Sequence, residues 1–460
     1  MSRSRPGGHR ANPDSASGLT PGRVHGNRRY VKLALAGLIA GLLPSVAQAE
    51  IVTDRADSAV LAVGARGTPT AAYLDDRGLV ATTRAASGWR ATRTSLPVPA
   101  TEAAVVSAVI GRDGRPAVLV EDVVRRTLVV AWRRSTRWLL VRAARLPAGV
   151  QLGVGGLALE PRGTPVVAYA FRRASGKTFL RLVRIDTRGR VTTTAITRLG
   201  FPDSVLPPSA VPHVTPSGRI RVVEAYTDAV IDWFPDRGKW TGQYLFASRL
   251  GSPLGRILAI PGPSSAVVAW TQDYPEFGES HVMVQQGRPT GAAAGLLPHA
   301  RLSSLTLASG RPEVGANDWV DVDGWTTFAG MLAFLDAPPV ELDAHVEGYA
   351  AVGATRELLL RTDRGIEWFS TPRPTIRVSL AVDAATGEAT GRVDGVAGGD
   401  VQIYRDAADT GRQLVATAAI APDGSFAAKV PALPTLYRAV YRDPVSGIPY
   451  GALLRSPLGG

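Results

Sequence analysis

Two short stretches hold most of the residues whose types and spacing could do chemistry. Asp273, Glu276, Glu279 and His281 fall within nine residues, and Asp318, Asp321 and Asp323 within six. Carboxylates gathered beside an imidazole can bind a ligand, hold calcium, or act as acid and base on a glycosidic bond. Calcium fits best near Asp321 and Asp323, in Asp321-Val322-Asp323-Gly324. Trp319 and Gly330 nevertheless stand where the EF-hand pattern puts its first and last ligands. Glycoside hydrolysis demands a fixed separation between two carboxyl groups, and spacing along the chain does not supply one.

Further acids share a structural address with these. Asp75, Asp122, Asp228, Asp273, Asp318 and Asp363 each follow the second apolar run of a repeated unit. Asp opens turns well because its side chain caps the local backbone, which accounts for Asp75, Asp122, Asp228 and Asp363 singly. The two clusters exceed what a turn requires, so they are expected to form an acidic sector on one face.

Most catalytic signatures are missing. The chain has no cysteine, no His-Glu-x-x-His and no Gly-x-Ser-x-Gly. Gly176-Lys177-Thr178 imitates the end of a phosphate loop. Phe171 occupies the position of that motif's first glycine, and strand follows instead of helix, so a hairpin turn is expected. Asp363-Arg364-Gly365, ending in Trp368, resembles half of the Asp box of sialidase-like propellers. Arg361 replaces the box's leading Ser or Thr, and no motif matches the sialidase arginine triad or tyrosine nucleophile.

The elements that must position these residues repeat. Gly67, Gly114, Gly163, Gly218, Gly262, Gly310 and Gly353 recur every 43 to 55 residues. A second marker around Leu96, Leu146, Leu199, Leu250 and Leu302 recurs every 50 to 53. Val154 to Gly200 is the clearest copy, with four short strands and a turn between each pair. Units of this length with four strands predict a β-propeller, because one sheet cannot cover both its faces alone. The glycines count seven blades, with six as the alternative since units five to seven are weaker. The seventh unit lacks an outer strand, which residues Ile51-Val52-Thr53 could supply, closing the ring. Trp89, Trp138 and Trp240 recur near the start of the fourth strand and are assigned to packing between sheets.

After Thr371-Pro372-Arg373-Pro374 the period changes, and seven strands follow in about 85 residues. This segment resembles the Ig-like or fibronectin-III-like modules appended to bacterial secreted proteins. Leu433 to Tyr437 is similar to a tyrosine corner. The resemblance implies a small β-sandwich that acts as spacer or binding unit. The expected organisation is all-β: a propeller over residues 50–371, then an Ig-like sandwich over 372–460.

Residues 1–49 read as a signal peptide. Arg28-Arg29-Tyr30-Val31-Lys32 precedes an apolar core from Leu33 to Leu43, and Ala47-Gln48-Ala49 gives a cleavage pattern. Eleven apolar residues are too few to span a bilayer comfortably, so cleavage after Ala49 and no remaining membrane span are expected. The formal charge of +13 then falls to 45 − 38 = +7. No long basic run is present, so nucleic acid is not an expected partner. The function expected is a secreted, monomeric, non-catalytic binding protein that takes an extracellular glycan or protein ligand without a cofactor. The alternative is a carbohydrate-active enzyme, a glycoside hydrolase or sialidase-like, using carboxylates on one propeller face.

Overall fold

The second strand of each repeat is the key to the architecture. Pro69–Asp75, Pro116–Asp122, Pro165–Arg172, Ile220–Tyr226 and Ala266–Tyr274 are near-continuous apolar runs rather than alternating ones. Adjacent residues in them pack on opposite neighbours. Ala71 joins a cluster with Leu359 and Trp368, while Ala72 joins one with Val118 and Val120. Val166 meets Ala210 and Val222, while Val167 meets Leu119 and Leu128. Both faces of each such strand are therefore buried between sheets, which is why its sequence reads apolar throughout.

The computed structural model describes residues 48–454, apart from 57, 98–99, 147, 200–207, 227–228, 248–253, 263–265, 275–278, 287–293, 323–324, 408–410 and 434. The signal peptide expectation falls almost wholly on residues outside this set. Among the described residues there is no α-helix, and none therefore long and apolar enough to cross a membrane. Strands pair antiparallel in successive sheets, mostly of four. The first is Ala59–Val63, Pro69–Asp75, Gly78–Ala85 and Gly88–Thr94, and five further sheets follow the same order up to Val340–Leu342. A last sheet combines His345–Val352, Thr355–Thr362 and Gly365–Pro372 with Gln48–Thr53. Its outer strand comes from the other end of the chain, with Glu50 opposite Trp368 and Ile51 opposite Glu367. The arrangement is propeller-like: the first strand of each sheet touches that of the next, and His345–Val352 returns to Ala59–Val63.

The repeated glycines have a backbone reason. Gly67, Gly114, Gly163, Gly218, Gly310 and Gly353 all take φ between 60° and 80°, the left-handed region that favours glycine. Near the axis the first strands converge, and Gly348 lies so close to Leu61 that an added Cβ would stand 2.3 Å from its Cβ.

The three tryptophans pack. Trp89 meets Trp368 of the last sheet edge-on at 5.6 Å, and Trp138 and Trp240 join clusters between sheets. Gly176 sits in a tight turn closed by Arg173 and Lys177 backbone bonds, as the hairpin reading requires.

The last seven strands form a sheet of Arg377–Val382, Glu388–Asp394 and Ser425–Lys429, and a second of Pro449–Leu453, Leu436–Arg442, Asp400–Ala407 and Gly411–Ala419. The second sheet continues the sixth of the ring: Leu342 pairs with Tyr450, and Asp343 donates its N–H to the Pro449 carbonyl at 2.8 Å. One apolar cluster runs from Leu332 and Phe369 to Val401, Phe426 and Tyr441. Arg438, 3% exposed, seals the junction by donating to Asp343 at 2.8 Å, Thr327 at 2.8 Å and the Phe328 carbonyl at 2.9 Å. Tyr437 donates its hydroxyl to the Pro431 carbonyl, which is the bond expected of a tyrosine corner.

Candidate functional site

A first strand pairs on one side only, so its free edge turns backbone N–H and C=O groups toward the axis. Together these edges surround a cavity of about 650 Å³. Its polar side chains include Ser107, Arg256, Ser303, Ser304, Thr306 and Glu347. Thr306 is engaged already, its hydroxyl accepting the Ala351 N–H at 3.0 Å.

Glu347 and Arg256 are charges on strands that are otherwise apolar. Glu347 lies in His345–Val352, with its side chain 6% exposed. Its Oε2 accepts the Ala59 N–H at 3.1 Å, while Oε1 is 3.0 Å from His345 Nδ1 and 3.2 Å from Arg361 Nε. Arg256, half-buried in Leu254–Pro261, lines the same cavity. Burial pulls its pKa below the usual arginine value, and the negative charge of Glu347 acts against that. No described residue lies within hydrogen-bond or ion-pair reach of its guanidinium.

The acids of the expected sector are placed differently. Asp273 lies in Ala266–Tyr274, opposite Ser280, whose hydroxyl donates to it at 2.6 Å. His281 packs edge-on against Tyr274 at 5.2 Å. Asp318 does not open a loop: it sits 2% exposed inside Arg311–Val322, between Ala300 and Ala329. Its hairpin runs on beyond it to Val322, so the apolar run ended before the strand did. Glu276 and Asp323 lie outside the described residues, as do the side chains of Glu279 and Asp321. Among the described residues no group of three acids or histidines could hold a metal.

The single aspartates behave as turn formers. Asp75 accepts the Arg77 N–H at 3.0 Å and pairs with Arg93, and Asp122 accepts the Arg125 N–H at 2.7 Å. Asp363 is exposed in its turn, and Asp228 lies outside the described residues. The sixth unit presents Trp319, 41% exposed, against Phe328 and His345.

Arg256 and Glu347 are the residues that motif reading passes over. A signal was available, since the first strands of units one to three carry no charge where these two do.

No family model and no curated protein matches the chain. Solved structures give distant likenesses. A protein of unknown function from Dyadobacter fermentans is 12% identical at TM-score 0.39, over 63% of this chain and all of that one. The WD40 domain of SCAP from fission yeast is 11% identical at TM-score 0.35, over 91% and 99%. A fucose lectin from Kordia zhangzhouensis is 14% identical at TM-score 0.22, over 30% and 95%. Likenesses at this level do not bear on function, and the architecture stands on the chain's own strand pairing.

Proposed function

We propose that this is an exported, non-catalytic binding protein: a seven-bladed propeller with a C-terminal Ig-like module, which takes an extracellular ligand into its central cavity. One observation carries the reading: the cavity is lined by a half-buried arginine, Arg256, whose guanidinium no described residue bonds. A guanidinium in a cavity wall that no protein group engages is free to meet an anionic group of a ligand. The rim acids give weaker support to a catalytic reading. Asp75 and Asp273 already have backbone, arginine or serine partners, and Asp122 has a backbone partner on one oxygen.

The seven blades are supported by the closed cycle of first strands and by the N-terminal strand completing the last sheet. The Ig-like module is supported by its two facing sheets and the Tyr437 bond. Export follows from the pattern of residues 1–49. Cleavage after Ala49 removes two residues of Gln48–Thr53 and leaves Glu50 and Ile51 to pair with Trp368 and Glu367. The test is to apply the purified protein to immobilised bacterial and plant polysaccharides while assaying the same polymers for new reducing ends. Retention without new ends is expected. Steady release of reducing ends would overturn the reading in favour of a carbohydrate-active enzyme.

A further inference from the structure

The central cavity has a chemistry of its own. Its volume falls in the range of small-molecule sites, roughly 300–1,000 Å³. Its wall offers hydroxyls from Ser107, Ser303 and Ser304 alongside unpaired strand-edge amides and carbonyls. Such a wall suits a partner with many hydroxyl groups. Within it, one positive charge is left without a bond. Glu347 does not bond it: one of its oxygens accepts the Ala59 N–H, and the other lies 3.0 Å from His345 and 3.2 Å from Arg361.

Resting on the binding reading above, we propose that Arg256 anchors the carboxylate of a small hydroxyl-rich acid, of the uronic-acid class, inside the central cavity. A guanidinium presents parallel N–H groups that match a carboxylate two to two. Glu347, on another strand of the same cavity, adds a negative charge, which favours a monoanion over a doubly charged phosphate. The serine hydroxyls and strand edges then take the ring hydroxyls.

The test is isothermal titration calorimetry on the purified protein at neutral pH and low salt, with D-galacturonate and D-galactose as probes. The expected result is one galacturonate bound per chain, with galactose weaker by about tenfold or more. Arg256→Met should weaken galacturonate by a similar factor, and Arg256→Lys should fall between, since a lysine keeps the charge and loses the fork. Absence of galacturonate binding, equal binding of acid and neutral sugar, or unchanged affinity in Arg256→Met would each overturn the proposal. The comparison of the two sugars needs no variant, so a misfolded Arg256→Met leaves it decisive. Polysaccharide retention that galacturonate cannot compete would overturn the cavity assignment while the binding function stands. Turnover by a protein that still binds galacturonate through Arg256 would do the reverse.

Discussion

Glu313 and Glu347 lie in adjoining sheets of the ring; Glu313 meets Arg356 across the sheet boundary, and Glu347 lines the cavity that Arg256 also lines. Around Glu313 both carboxylate oxygens are hydrogen-bonded. Tyr349 donates to its Oε2 at 2.5 Å, and Arg356 reaches Oε2 at 2.6 Å and Oε1 at 2.8 Å. The Tyr349 hydroxyl is pushed well above its ordinary pKa by burial and by the carboxylate beside it. Arg373 adds its charge and pairs with Asp336, whose carboxyl Arg373 and Arg311 pull down to about 2. Around Glu347 one oxygen accepts the Ala59 N–H while the other, though close to His345 and Arg361, has no hydrogen bond, and Arg256, which lines the same cavity, has no bond to a described residue. The residue types are the same. A bonded partner separates the arginine that holds sheets together, Arg356, from the one available to a ligand, Arg256.

The largest way to probe this contrast is Glu313→Ala. It strands Arg356 in a dry interface, and the expected loss is about 3–5 kcal/mol in urea unfolding. A loss under about 1 kcal/mol would show that the network is dispensable and erase the contrast.

Glu224 offers an intermediate case, a fully buried carboxyl with one donor, the Trp233 indole N–H at 2.9 Å. Burial raises its pKa to about 7, the indole bond pulling slightly the other way. The folded state therefore keeps this proton where the unfolded chain has lost it. Its contribution is full below about pH 4.5 and declines as pH rises to about 7, by roughly 3 kcal/mol. Glu224→Gln should remove that decline from the pH dependence of stability. An unchanged profile would mean that the indole bond keeps the carboxylate ionised.

At the rim the effects should be smaller. Asp122→Ala removes the cap on the Arg125 N–H and is expected to cost about 1 kcal/mol by the same unfolding assay. Asp273→Ala, which loses only the Ser280 hydroxyl, should cost no more than about 1 kcal/mol and leave polysaccharide retention intact. Loss of retention in Asp273→Ala would move the site from the cavity to the rim.

Much of the ring was legible because its markers are enforced by the backbone. The recurring glycines hold left-handed φ values that other residues rarely take, and Asp75 and Asp122 cap turns as their position implies. The closing strand at Ile51-Val52-Thr53 was legible because a sheet with a missing edge needs one. Asp318 misled because a strand can outlast its apolar run, so the acid sits inside the sheet instead of at its end. The junction of Val340–Leu342 with Pro449–Leu453 was not legible, since one register pair, Leu342 with Tyr450, depends on tertiary docking. Arg256 and Glu347 escaped for a related reason. They belong to different units, and only closure of the ring puts both on one cavity.

The most direct test of the contrast sets Arg356→Met beside Arg256→Met in urea unfolding without ligand. Removing Arg356 should cost about 3–5 kcal/mol, because Glu313 is left buried without its main partner. Removing Arg256 should leave stability within about 1 kcal/mol of the unaltered protein, because no hydrogen bond is lost. A loss at Arg256 as large as that at Arg356 would make it a structural counter-charge and contradict the account.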